Sequence, residues 1–480
     1  MLKRVFLFIL ALAICLSLAA CGNTAASGNE GAEKEESAQE SAESIVSDEI
    51  PEPKNEEVLE AVSETENAEA TETAAGPENI ETSEAVPETD DSEAVYDYEP
   101  ERYETDTLTW EFNADTGTLS VHGAGPMRDY YAEAPEWEQY KDQIVAVTLD
   151  DGITSVGAYA FCNYLSLTEV RLPDSVEVID ESAFDYDWTL RTITIPASLK
   201  YVGSRAFYNT LLWEPNDLVF PEGCEYIGDG AFHSALKSGG TVSLPSSLKY
   251  LGSQVFTNAF ISDFTVSADN EAYCSENHAI YTKDMKEMLM LAPIAKDTAE
   301  FHVPDGVERI AAECFNVMQG VEKVYIPSSV TEIAEGAFFS TFDLEEIIVD
   351  EANPNYKSEN GLLLSKDGTL LLAWPDGTVA NELVIPEGVE RIGAYLYYGR
   401  VDRPYTVILP ESVREIGTMS LPRLMSSLSL PAGLEKIDRS VFYNGLYVEN
   451  INYNGTAADW AIITVEKDNT ALDSAVIHMN

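Results

Sequence analysis

A proline recurs through this chain at a spacing that no single globular core explains. Pro173, Pro196, Pro221, Pro245, Pro304, Pro327, Pro386, Pro410 and Pro431 follow one another at 21 to 25 residues, apart from two gaps of 59. Asp150 fills the same slot in a unit that precedes them. Length alone, 480 residues, would suggest about three domains of ~150 residues each. A fixed period of this size instead predicts one solenoid, whose units bury their apolar faces only against each other.

The positions around the proline carry consistent chemistry. Apolar residues stand one and three before it, as in Val170 and Leu172, Ile193 and Ile195, or Val324 and Ile326. That alternation is a short strand with one buried face. The proline supplies no amide proton, which limits how far the strand ladder extends. Two residues later only Ser or Gly occurs, suited to a turn. Two apolar anchors follow, such as Val176 and Ile179. Eleven residues after the slot stands Phe161, Phe184, Phe207, Phe232, Phe256, Phe315, Phe338 or Phe442, with Tyr397 and Leu421 as exceptions. These rings are the expected repeat core, pressed inward by one turn of helix or 3₁₀ on the outer side.

The two long gaps resemble each other. Asn270 and Tyr273 match Asn353 and Tyr356, and Ala279-Ile280-Tyr281-Thr282-Lys283-Asp284 parallels Leu362-Leu363-Leu364-Ser365-Lys366-Asp367. Each predicts a projecting β-hairpin turning at Lys-Asp, inserted near 268–299 and 351–381. The expected fold class is an α/β repeat solenoid of about twelve rungs, with a parallel sheet roughly 58 Å long at ~4.8 Å per strand.

The unit pattern L-x-x-I-x-I-P-x-S-V-x-x-I-G-x-x-A-F resembles the BspA-type leucine-rich repeat family of bacterial surface proteins. Leu167 to Phe184 shows it almost letter for letter, with Asp180 where Gly is usual. The resemblance implies a horseshoe over residues 146–450. It also implies a hairpin-like N-terminal cap over 107–145, around Trp110-Glu111-Phe112 and Gly117-Thr118-Leu119, and a C-terminal cap over 451–480 containing Asp459-Trp460. Residues 394–427 depart most from the pattern, so local irregularity is expected there. The family's link to adhesion carries over only as an implication.

Charge separates the rest of the chain from the repeats. The net charge is −56, from 84 acidic and 28 basic side chains. That sign excludes nucleic acid as a partner, because phosphate affinity comes from clustered Lys and Arg. It also excludes electrostatic adhesion to an anionic membrane. Residues 1–20 read as a secretory signal, with Lys3 and Arg4 before an apolar stretch. The sequence Leu18-Ala19-Ala20-Cys21 resembles the lipobox of bacterial lipoproteins, which implies a lipid on Cys21 and a place on the outer face of a bacterial membrane. From Gly22 to Asp106, 28 acidic residues face only Lys34, Lys54 and Arg102, with no aromatic before Tyr96. Such a segment, 21–106, is expected to be a disordered acidic tether with an r.m.s. span of roughly 50 Å or more. An acidic tail for cations or a basic partner is the rival reading.

Nothing in the sequence carries catalysis. Cys224 and Cys314 occupy apolar slots, Cys162 and Cys274 lie outside them, and no C-x-x-C occurs. The five histidines show no metal-ligand spacing, and Asp269-Asn270 and Asp350-Glu351 lack the full ligand loop of a Ca²⁺ site. No nucleotide fingerprint or nucleophile elbow is present, so no enzyme, metal or cofactor is expected. The outward strand positions, two before the proline slot, are the expected binding surface. They include Arg171 and His302, and a candidate apolar stripe of Tyr325, Ile348, Val384 and Ile408. The leading expectation is a lipid-anchored surface module binding an extracellular protein or glycan. The alternatives are an envelope scaffold docking a partner in its own surface, and a hydrolase using scattered carboxylates.

Overall fold

The computed structural model describes residues 102–103 and 107–479, apart from 132, 295–298, 376, 378–381, 397–403 and 444–445. The leader, Cys21, nearly all of the tether, and Tyr397 lie outside those residues. The described residues wind as a parallel β-solenoid of about fourteen turns with almost no helix. The count exceeds twelve because flanking segments join the winding. Thr118–His122 pairs in parallel with Ala146–Leu149, while Ile451–Tyr453 pairs with Leu424–Leu430 on one side and Ile477–Met479 on the other. At the N-terminal end Thr109–Asn113 closes the edge by antiparallel pairing with Thr118–His122.

Each ordinary turn has three sides. The first is the expected strand ending at the proline slot, for example Lys323–Ile326 with Val324 and Ile326 buried. The second is a two-residue strand at the apolar anchor, such as Tyr201–Val202, Tyr226–Ile227 and Tyr250–Leu251, which pair in parallel. The third was expected to be helical and is not. Around each ring from Phe161 to Phe338, the residues two before and two after have positive φ: Tyr159 and Asn163 flank Phe161, and Gln254 and Asn258 flank Phe256. This left-handed backbone aims donors at the next turn instead of along the chain. Tyr159, Phe161 and Asn163 give their N–H groups to the carbonyls of Glu181, Ala183 and Asp185 at 3.0, 2.9 and 2.7 Å. Asn, which tolerates left-handed backbone, recurs after the ring as Asn163, Asn209 and Asn258.

The rings form a column inside the winding. Centroids are 5.5 Å apart from Phe161 to Phe184, 5.3 Å to Phe207, 4.9 Å to Phe232 and 5.9 Å to Phe256, all stacked. Trp137 ends the column on Phe161 at 5.7 Å. Phe315 and Phe338 continue it at 4.7 Å beyond the first long gap, and Phe442 is buried in the last part. Leu421, in the same slot, is fully buried.

The long gaps do not project. Tyr273–Glu276, Ala279–Thr282 and Glu287–Leu291 form an antiparallel meander, and its last strand pairs in parallel with Arg309–Ile310 on the second side. Tyr356–Glu359, Leu362–Ser365 and Leu370–Ala373 repeat it against Arg391–Ile392. Ala279, Ile280, Tyr281, Leu363 and Leu364 are fully buried, so these apolar strands complete the core where a projecting hairpin would waste them. Their first turns, Asn277-His278 and Asn360-Gly361, have positive φ at both residues, the conformation that favours tight two-residue hairpins.

The meanders also end ladders. The first-side strands fall into separate sheets spanning 109–193, 218–266, 300–349 and 382–479, instead of one continuous sheet. The buried core divides near the same insertions. Between 193 and 218 the cause is an extra loop at 213–217, where Pro215 supplies no N–H and Thr192 meets Glu214 in a lone bridge.

Candidate binding face

The alternation that buries Val170, Val324 or Val407 turns every second residue of the first side outward. Strand register gathers those residues into rows. Arg171 aligns with Thr148 and Ser120, and Thr265 aligns with Ser243 and Val219. His302, Tyr325 and Ile348 align in the next sheet. Val384 and Ile408 align in the last, where Ser429, Asn452 and His478 extend the row into the region treated as a cap. The expected apolar stripe is therefore two rows in two sheets, parted by the meander of 356–373.

The rows differ in surface chemistry. Towards the N-terminus hydroxyls satisfy each other: Thr148 Oγ1 lies 3.1 Å from Ser120 Oγ, and Ser243 Oγ lies 2.8 Å from Thr265 Oγ1. Arg171 is tied down by Glu169 Oε1 at 2.6 Å. In the 300–349 sheet His302 and Tyr325 stack at 4.1 Å with planes 2° apart, beside half-buried Ile348. Val384 is 55% exposed, a large value for an aliphatic side chain in a strand. Lys323 Nζ meets Glu346 Oε2 at 3.2 Å on the same face, and this hydrogen bond raises the ammonium above its ordinary range.

The other titratable groups serve the fold. His233 is stacked on Tyr208 at 4.5 Å, and burial pushes its imidazole down to about 4. His122 and His278 rest on Asp150 and Asp263 at 3.1 and 3.0 Å. Among the described residues no group of three or more His, Cys, Asp or Glu is placed to hold a metal ion. Asn270, weighed above beside Asp269 for a cation, is buried instead. Its Nδ2 donates to the carbonyls of Pro245 and Leu248. The four thiols Cys162, Cys224, Cys274 and Cys314 are free, with Cys224 and Cys314 fully buried.

A model of the BspA type leucine-rich repeat region matches the chain in six copies, over residues 139–262, 214–282, 295–360 and 376–460. The chain belongs to the BspA-type leucine-rich repeat family. Solved structures similar to it include a leucine-rich repeat protein from Eubacterium ventriosum, 22% identical with a TM-score of 0.49, covering 70% of this chain and 92% of that one. A leucine-rich cell surface protein from Faecalibacterium prausnitzii is 20% identical with a TM-score of 0.38, covering 77% and 99%. A leucine-rich repeat protein from Bacteroides ovatus is 16% identical with a TM-score of 0.35, covering 80% and 100%. No curated protein matches the chain. As a BspA-type repeat protein the chain offers extended sheet faces, and the 300–349 sheet is the one whose outward row is aromatic and aliphatic.

Proposed function

We propose that this chain is an exported interaction module, held at a bacterial surface by a lipid on Cys21, whose outward first-side rows bind an extracellular protein. The observation that carries the reading is the aligned His302–Tyr325–Ile348 row, where large side chains stand on the solvent side of a sheet whose inner face is already packed. An exposed His302 in register with half-buried Tyr325 and Ile348 marks a protein contact more than a scattered surface does. A protein fits better than a glycan because His302 and Tyr325 cover each other's facing ring surfaces, leaving less aromatic area for a sugar to stack on. The lipid reading rests on the lipobox-like Leu18-Ala19-Ala20-Cys21 after an apolar leader. Binding, not catalysis, is the proposed activity.

The test uses the full chain as bait for host matrix proteins and for the producing strain's own envelope proteins. Substituting Tyr325→Ser and Ile348→Ser together is expected to weaken retention of the partner by about tenfold or more, with unfolding unchanged. Equal retention by the variant would sink the assignment of the row. The source of the retained protein separates adhesion to a host from docking in the envelope. Detergent partitioning of the wild type but not Cys21→Ser checks the anchor.

A further inference from the structure

The His302–Tyr325–Ile348 row runs between acidic flanks. Glu300 and Glu346 stand two residues before His302 and Ile348, on the same face of their strands. Asp305 and Glu351 stand three residues after them, in the turns that leave those strands, and Glu300, Asp305 and Glu351 are exposed. Lys323, the cation in the flanking positions, is already engaged by Glu346 at 3.2 Å. Glu300 stands in register with Lys323 and adds to the negative charge around its ammonium, and among the described residues Asp305 and Glu351 make no ion pair. An apolar centre between exposed carboxylates selects a partner with the complementary order of charges, because like charge across an interface repels and opposite charge steers encounter.

We propose that this row takes a polypeptide segment in which apolar side chains alternate with Lys or Arg. The apolar groups lie on His302, Tyr325 and Ile348, and the cations reach Glu300, Asp305 and Glu351. Lys and Arg suit such a surface because their methylene stems cover apolar area while their heads stay at the carboxylates. Nucleic acid and anionic lipid have the wrong sign for these flanks. The inference deepens the binding reading above and rests on it.

The experiment titrates the full chain with labelled synthetic peptides and reads fluorescence anisotropy. One probe alternates Val and Lys, a second Val and Glu, and a third Ser and Lys. The Val-Lys peptide is expected to bind, and to weaken as salt is raised. Its affinity should fall by about tenfold or more in the Glu300→Lys, Asp305→Lys pair and in the Tyr325→Ser, Ile348→Ser pair. Val-Glu binding as tight as Val-Lys overturns the proposal. So does Ser-Lys binding as tight as Val-Lys, which would report only the acidity of the chain. Indifference of Val-Lys binding to either pair also overturns it, and thermal unfolding of each variant guards against misfolding. If the row pair releases the natural partner while the Glu300→Lys, Asp305→Lys pair leaves it bound, the binding reading stands and this inference falls. If the Val-Lys peptide behaves as expected but no natural partner is retained, the reverse holds.

Discussion

In the turn around Phe207 the backbone hands its donors to the next turn. Arg205, Phe207 and Asn209 give N–H groups to Asp229, Ala231 and His233 at 2.9, 2.8 and 2.8 Å. The two meander units do the opposite and stop the ladder with side chains. Tyr273 Oη accepts the N–H of Leu251 at 2.8 Å, and Ser275 Oγ accepts that of Val266 at 3.0 Å. Tyr356 and Ser358 repeat this for Ile333 and Val349 at 2.9 and 3.2 Å. Buried donors must find acceptors wherever the winding changes. An ordinary turn is therefore joined to its neighbours through backbone, while a meander unit brings a few hydroxyls and one amide to the turn before it and keeps backbone pairing with the turn after it. The two kinds of unit should fail in different ways.

The largest expected effect is in the ordinary turn. Phe207 is fully buried and stacked on both sides, so Phe207→Ala should cost about 3–5 kcal/mol by opening a cavity in the column. Reversible denaturation of the full chain, supported by hydrogen exchange of the amides near Phe184 and Phe232, measures it. A loss under about 1 kcal/mol would mean that the column is not what holds neighbouring turns together.

Next comes the meander unit, where one side chain replaces a neighbour's backbone. Asn270 Oδ1 accepts from Ala272 and Tyr273 at 2.8 and 2.7 Å while its Nδ2 reaches Pro245 and Leu248 at 2.8 and 2.9 Å. Asn353 makes the same four bonds with Asn355, Tyr356, Pro327 and Val330. Replacing either by Ala strands several buried groups, and about 2–4 kcal/mol is expected from each. The two losses should add in the double variant, because the residues share no partner and lie in different units. Unequal losses, or strong coupling in the double-mutant cycle, would break the equivalence of the two meanders.

How much of this was legible depends on what each residue's signal repeats. The strand, the turn and the ring recur in nearly every unit, so Val324, Ile326 and Phe338 could be placed from spacing alone. The outward row follows from the same alternation, which is why His302, Tyr325 and Ile348 fall into register. The third side was misread because Ala-Phe looks like a helical contact, and only the recurring Asn163, Asn209 and Asn258 hint at left-handed backbone. The break between Ile348 and Val384 was hidden for another reason. Asn353 and Tyr356 were visible as a match to Asn270 and Tyr273, but their role, like that of Ser358 and Ser275, lies in which backbone groups they satisfy, and that requires the neighbouring turn.

The smallest expected effect sharpens the comparison through pH. Asp180 stands where other turns carry Gly203, Gly228 and Gly252, and a Cβ on Gly203 would come within 2.5 Å of the backbone N of Glu181. Burial pushes the Asp180 carboxyl up to about 6, against the bond its Oδ1 accepts from Glu181 N–H at 2.7 Å. A raised carboxyl binds its proton more tightly in the folded chain. Its contribution to stability is therefore full below the unfolded value near 4 and is lost as pH rises through about 6. In the second meander the sign reverses. Asp367 is held down at about 2 by the Ser365 hydroxyl, then by the N–H and hydroxyl of Thr369, so its contribution is present above pH ~4 and lost as pH falls towards 2. Asp180→Asn should accordingly raise the melting temperature at pH 7, by about 1–3 kcal/mol in stability, and leave it nearly unchanged at pH 4. Asp367→Ala should lower it at pH 7 and matter least near pH 2. Melting curves of both variants across that range measure the contrast, and two variants with the same pH slope would remove it.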